Sequence, residues 1–244
     1  KIYTPDLPVH AGPNAMAAAL ATIDLPHNTP RSTWCGKARA DYLASLTAPE
    51  QPGEVDMGAI TAQIQDKLPV DAIVTHGAGN FSIWPNKFLS YGRDQRMLGP
   101  QSGSMGFGLP AALAAKVHDP SRFVLCFAGD GDFQMNGTEL GTALQAGLNP
   151  VILIINNSSY GTIRMHQERA YPARISGTEI VNPDYVALAG AYGFHGERVT
   201  RTDDFAAAFE RALDAATGAI VEIVIDTEAI APRTTISALR EAAT

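Results

Sequence analysis

No stretch of the sequence concentrates lysine or arginine, and 18 basic residues stand against 25 acidic ones for a net charge of −7. Nucleic-acid partners, whose phosphates demand a basic stripe, are therefore not expected; small molecules are. Cysteine is scarce: Cys35 and Cys126 make no disulfide framework, and their spacing matches no zinc site. Cys126 sits in the apolar run Phe123-Val124-Leu125-Cys126-Phe127, where a buried, inert thiol is expected. Long hydrophobic runs are missing too. The longest aliphatic stretch, Val151 to Ile155, falls far short of the roughly 20 residues of a membrane helix. Lys1 to His10, with Pro5, Asp6 and Pro8, does not read as a signal peptide. A cytoplasmic protein without a membrane partner is the expectation. The opening Lys-Ile-Tyr-Thr-Pro-Asp-Leu-Pro has no initiating Met and reads as the middle of a longer or cleaved chain. Charged side chains make up 18% of the sequence, below the roughly 25% usual for soluble domains, which hints at surface covered in a subunit interface.

What is present suits one main domain with an appendage: 244 residues, 45% of them apolar. Residues 1 to about 50 show scattered prolines and one short Ala-rich helix, Asn14 to Ala21. Leu46 to Gly53, with Pro49, Pro52 and Gly53, reads as a linker. After it, helical and strand signals alternate. Helices are expected over Asp56 to Leu68, Pro110 to Val117 and Glu139 to Leu148, and from an Asn182 cap with Pro183 in first position to Tyr192. Phe205, Ala208, Phe209, Ala212 and Leu213 form a further amphipathic face. Strands are expected at Ala72 to Thr75, Phe123 to Ala128, Val151 to Ile155 and Ala219 to Ile225. Apolar strands with almost no polar alternation imply burial on both faces, and alternation with helices implies parallel βαβ units. The expected fold is α/β, a doubly wound, mostly parallel sheet with helices on both faces.

Open parallel sheets bind ligands beyond the carboxyl ends of their strands. Three strands end in His76-Gly77-Ala78-Gly79-Asn80, Gly129-Asp130-Gly131-Asp132 and Asn156-Asn157-Ser158-Ser159. A hard cation such as Mg2+ wants oxygen ligands, commonly one or two carboxylates together with phosphate oxygens and water; Asp130 offers a carboxylate and Asn157 an amide oxygen. The glycines allow close backbone approach and leave N–H groups for phosphate. Gly-Asp-Gly alone is more often a plain turn, and Asn-Asn after a strand a cap. The 24 residues between Gly131 and Asn156 hold one helix and one strand, which sets the two tips side by side.

The run Gly129-Asp130-Gly131, 24 residues, then Asn156-Asn157 resembles the thiamine diphosphate (ThDP) binding motif of the acetolactate synthase, benzaldehyde lyase and pyruvate decarboxylase superfamily. Gly103-Ser104-Met105-Gly106-Phe107-Gly108-Leu109-Pro110 before it, and Phe133-Gln134-Met135 with Glu139-Leu140 after it, agree. The resemblance covers about residues 54 to 230 and implies a diphosphate-binding domain from about residue 51 to 244. Residues 1 to about 25 resemble the end of the family's central domain. By resemblance, Asp130, Asn157 and the carbonyl of Ser159 bind Mg2+. Ala78, Gly79 and Asn80, with Gly129, Gly131, Asp132, Ser159, Tyr160 and Gly161, cradle the diphosphate. The Gly103 carbonyl receives the 4'-amino group of the cofactor, and Met105 wedges beneath it to bring that nitrogen to thiazolium C2. An adaptable core filler is the other reading of Met105.

The resemblance also implies what this chain lacks: a pyrimidine-binding domain, on another chain or fragment, whose glutamate activates the cofactor. Alone, the chain is expected to be catalytically incompetent, and to work as a homo-oligomer, dimer or tetramer, on a 2-keto acid or aldehyde. FAD is possible in the missing central domain. Glu139 and His76 read as structural. His166 stands where acetohydroxyacid synthases of amino-acid biosynthesis carry Trp, and Ser159 where they carry His. His166 is read either as a proton relay or substrate ligand, or as a solvated helix position. Gly161 to Arg169 is closer to acetolactate-synthase-like proteins, and Arg174 to Thr178 resembles benzaldehyde lyase. A nicotinamide dehydrogenase shares the architecture, but its Gly-x-Gly-x-x-Gly is not supplied here. A non-catalytic subunit that keeps the ThDP fold is a further alternative.

Overall fold

The structure, a computed structural model, describes residues 2–24 and 29–243. Two compact units divide between Ser45 and Leu46. The first, Lys1–Ser45, carries helices α1 (Pro13–Ala21) and α2 (Thr29–Ser45). Its exposed apolar side chains include Trp34 and Tyr42. The second holds every strand among the described residues. The stretch read as a linker is pinned to this second unit. Gln51 is buried and donates to the carbonyls of Pro49 and Pro232, while Arg233 donates to that of Thr47.

Six strands form one wholly parallel sheet: β1 (Ile73–His76), β2 (Arg96–Leu98), β3 (Val124–Gly129), β4 (Val151–Asn156), β5 (His195–Val199) and β6 (Ala219–Val224), in the order β2-β1-β3-β4-β6-β5. Among the described residues, the eight α-helices of this unit are α3 (Met57–Lys67), α4 (Gly108–His118), α5 (Asp130–Asn136), α6 (Leu140–Ala146), α7 (Gly161–Ala170), α8 (Tyr185–Ala191), α9 (Phe205–Asp214) and α10 (Ile236–Ala242). Alternate strand residues bury themselves on opposite faces. Val74, Leu125, Phe127, Leu153 and Val221 pack with α3 and α9, the latter through Phe205 and Phe209. Ile73, Val124, Cys126, Ile152 and Ile220 pack with α4, α5, α6 and α8. This is the doubly wound α/β fold, with period-two strands covered on both faces.

Local chemistry accounts for the helix starts. Asp56 caps α3, its carboxylate accepting from the N–H groups of Gly58 and Ala59. Helix α8 starts later than its sequence suggests: Asp184, not Asn182, accepts from Val186 and Ala187. Pro183 thus precedes the cap, and Asn182 is free to turn inward. Between β1 and β2 lies a short π-helical turn, Trp84–Phe88.

Winding reverses between β1 and β3. From β1 the chain moves outward to β2, then returns to β3 on the other side. A crevice opens at such a reversal beyond the strand ends, and the glycine-rich tips meet there.

Candidate functional site

Register sets the level of the tips. Gly129 pairs with Ile155 and His76 with Phe127, so Asp130 and Asn156 leave the sheet side by side. The tips line an open cleft of about 620 Å³ out to its mouth, together with Met105, the start of α7 and residues Ala229 to Ala231. Phe81, Trp84, Ile155, Ile225 and Ile230 form its apolar walls. Pockets of this kind, apolar with a few convergent polar groups, suit small organic ligands.

Ala78, Gly79, Asn80, Met105, Gly129, Asp130, Gly131, Asp132, Asn157, Ser159, Tyr160 and Gly161 all line the cleft. Two expected residues do not. Gly103 is exposed on the preceding loop, in a left-handed conformation with φ +68°. His166 is exposed on α7 and outside the cleft. The first turn of α7 faces the cleft, but His166 is five residues past Gly161 and takes the solvated position.

Asp130 is 2% exposed. Burial pushes its carboxyl above the ordinary range, while the Asn182 amide and the Gly131 N–H pull it down. Its Oδ2 accepts from Asn182 Nδ2 at 2.8 Å. Asn157 Oδ1 accepts from the Ser159 N–H at 3.1 Å, closing the loop on itself, with Ser158 at φ +52°. The Ser159 hydroxyl donates to the Thr178 carbonyl. Among the described residues, no three His, Cys, Asp or Glu side chains cluster as a metal site. A single buried carboxylate with amide and carbonyl oxygens is an incomplete shell, which phosphate oxygens and water complete for Mg2+.

Asp132 is buried and serves the loops. Its Oδ1 accepts from Ala78 N–H and Gly106 N–H, each at 2.9 Å, while burial raises its carboxyl to about 6. The Gly106 carbonyl accepts from Asn136 Nδ2. Gly106, with φ +78°, is thereby held on both sides and presents Met105 to the cleft. Met105 belongs to none of the three buried apolar clusters. Ala78 is committed to Asp132. Asn80 is also engaged: its N–H donates to Thr162 Oγ1, and its amide to Ile230 O. Both N–H groups thus already have acceptors. Free donors come instead from first helical turns, which have no acceptor in their own helix; Gly161, Thr162 and Ile163 open α7 at the cleft wall.

Glycine is required at the tips by close approach. A Cβ at Gly131 would lie 2.5 Å from Tyr160 Cε1, and at Gly129 2.7 Å from Phe81 Cδ1. The residues present thus fit a magnesium-bound diphosphate: a compact oxygen donor set, glycine-lined tips and a helix N-terminus meet in one cleft. Asn182 was missed as a site residue, because Asn-Pro reads locally as a helix start.

A fold with this reversal and this cleft belongs to the class of doubly wound α/β domains that take ligands beyond the strand ends. A model of the family described as "Thiamine pyrophosphate enzyme, C-terminal TPP binding domain" matches residues 77–223, and the chain belongs to that family. It is 34% identical over 180 residues to the acetolactate synthase isozyme 2 large subunit of Escherichia coli strain K12, covering 72% of this chain and 33% of that protein. It is 37% identical over 171 residues to the acetolactate synthase large subunit of Parasynechococcus marenigrum, covering 68% and 28%. Among solved structures it is similar to the thiamine diphosphate-dependent 4-hydroxybenzoylformate decarboxylase of Rhodococcus jostii RHA1, with a TM-score of 0.65 and 30% identity over 73% of this chain and 34% of that one. The chain thus spans about a third of the length of these relatives.

Proposed function

We propose that this chain supplies the diphosphate- and Mg2+-binding half of a ThDP-dependent lyase or carboligase of the acetolactate synthase type, acting on a 2-keto acid or aldehyde. The observation that carries the reading is the meeting of Asp130, Asn157, Ser159 and the start of α7 in one glycine-lined cleft. ThDP supplies a nucleophilic carbon able to add to a carbonyl.

The chain's own residues bind and orient. Asp130, Asn157 and the Ser159 carbonyl hold the cation, and the first turn of α7 faces the diphosphate. The Gly129 and Gly131 tips let backbone approach it. Asp132 ties the Ala78 loop to the Met105 loop, so the diphosphate end and the supporting methionine keep a fixed relation. Trp84, Ile155 and Ile230 keep water from one side of the cleft.

A glutamate of a pyrimidine-binding domain, on another chain or fragment of a homo-oligomer, would serve the cofactor's far end. Residues 1 to about 50 are, on this reading, the end of a preceding central domain plus a linker. Calorimetry of ThDP with and without Mg2+ tests the proposal. Binding that needs Mg2+ supports it; heat unaffected by Mg2+ contradicts the metal half.

A further inference from the structure

One charge lies where strand chemistry disfavours it. β6 reads Ala219-Ile220-Val221-Glu222-Ile223-Val224, and Glu222 is 3% exposed between Val221 and Ile223, both at 0%. A buried carboxylate pays a desolvation cost that even a well-made ion pair barely offsets, and apolar replacements of such pairs are often neutral or stabilising. Stability alone does not account for a glutamate here.

Its contacts lead to the site. Glu222 pairs in register with Ile154 of β4 and Arg198 of β5. Asn156, two residues beyond Ile154, therefore shares its face. Glu222 Oε2 accepts from Arg198 Nε at 2.6 Å, and Oε1 from Asn156 Nδ2 at 2.7 Å. Asn156 Oδ1 accepts from Ser158 N–H and from Asn182 Nδ2. Asn182 Nδ2 also donates to Asp130 Oδ2, while Asn182 Oδ1 accepts from Gln134 Nε2 and Tyr185 Oη.

Amides can turn over; ionised carboxylates cannot donate. Because Glu222 only accepts, Asn156 must present its NH2 to Glu222 and its oxygen to Asn182. Asn182 must then present its NH2 to Asn156 and Asp130. Carboxylates at both ends fix every amide between them. We propose that Glu222 is a positioning residue for the cation site: acting through Asn156 and Asn182, it occupies Asp130 Oδ2 with a donor and holds the Asp130 carboxylate in one orientation for the metal. The same chain of bonds also fixes Ser158, and with it the turn that carries Asn157 and Ser159.

This inference rests on the reading of Asp130 as a Mg2+ ligand, and its test separates the two. Mg2+ half-saturation of ThDP binding is measured by calorimetry on the full chain, alongside melting without cofactor. The apolar pair E222L/R198M is expected to melt near the wild type but to need roughly 10- to 100-fold more Mg2+, the usual cost of losing an outer-shell partner. E222Q/R198M is expected to recover most of that loss, because its amide carbonyl still accepts from Asn156. Asn182→Leu, which breaks the relay next to Asp130, is expected to lose as much as E222L/R198M. Wild-type half-saturation, within about twofold, in a folded E222L/R198M or in Asn182→Leu overturns the positioning role. Absence of Mg2+-dependent binding in the wild type overturns the cation site itself.

Discussion

Gly131 shows how little freedom single residues at the tips have. An added Cβ would meet Tyr160 Cε1 at 2.5 Å and Ile180 Cδ1 at 2.8 Å, and Tyr160 is the residue from which α7 starts. Gly131→Ala must push that ring away and tilt the first turn of α7. We expect ThDP–Mg2+ affinity to drop by about tenfold or more, a loss of at least ~1.4 kcal/mol, measured by calorimetry. The thiols behave oppositely to one another. Cys126 is buried and its thiol is pushed up to about 12, chiefly by desolvation, whereas Cys35 is exposed. Since the thiolate is the nucleophile, one thiol should react quickly with a maleimide in the native chain and the second only after denaturation. Two fast thiols would contradict the burial of Cys126. At this scale Asp130 and Asn157 were legible from spacing, because strand ends project their next residues into the crevice. Asn182 and Glu222 were not: their roles are bonds made 52 and 66 residues away along the chain, which leave no local pattern. A lone glutamate inside an apolar strand was the available signal.

Among elements, the strands buried on both faces were readable as largely apolar runs: β1, β3, β4 and β6, the last interrupted by Glu222. The edge strands were not. β2 is Arg96-Met97-Leu98 with all three residues exposed, and β5 is His195-Gly196-Glu197-Arg198-Val199; an edge strand has a neighbour on one side only and needs no apolar run. Helices α7 and α10 meet through a buried charge as well as a small apolar cluster, in which Met165 packs against Ile236 and Leu239. Glu168, fully buried, accepts from Arg240 through both oxygens, from Arg164 Nε and from the Ala173 N–H. The Arg240 guanidinium, foremost, holds its carboxyl down at about 2 against an ordinary value of 4.5. A depressed folded-state value contributes stability that is complete above about 4.5 and lost as pH falls toward about 2. Glu168→Gln should therefore cost about 1–3 kcal/mol at pH 7. The gap to the wild type should narrow below pH ~4.5, as read by denaturant unfolding across that range. A gap independent of pH would exclude the ion pairs as its cause.

For the whole molecule, the chain belongs to the thiamine pyrophosphate enzyme family, yet spans about a third of its acetolactate synthase relatives. Among the described residues no helix is long and apolar enough to cross a membrane. On the proposed reading, binding and turnover separate. This chain should bind ThDP with Mg2+ but release no CO2 from pyruvate until a pyrimidine-binding domain with its glutamate is supplied; steady turnover by the purified chain alone would contradict that division. On the same reading, Asp130 holds the cation that anchors the diphosphate. That role is tested most directly by calorimetric titration of ThDP with Mg2+ into the wild type and Asp130→Ala. Binding is expected to depend on Mg2+ in the wild type and to weaken by about 100-fold or more in the variant. Equal affinities would contradict it.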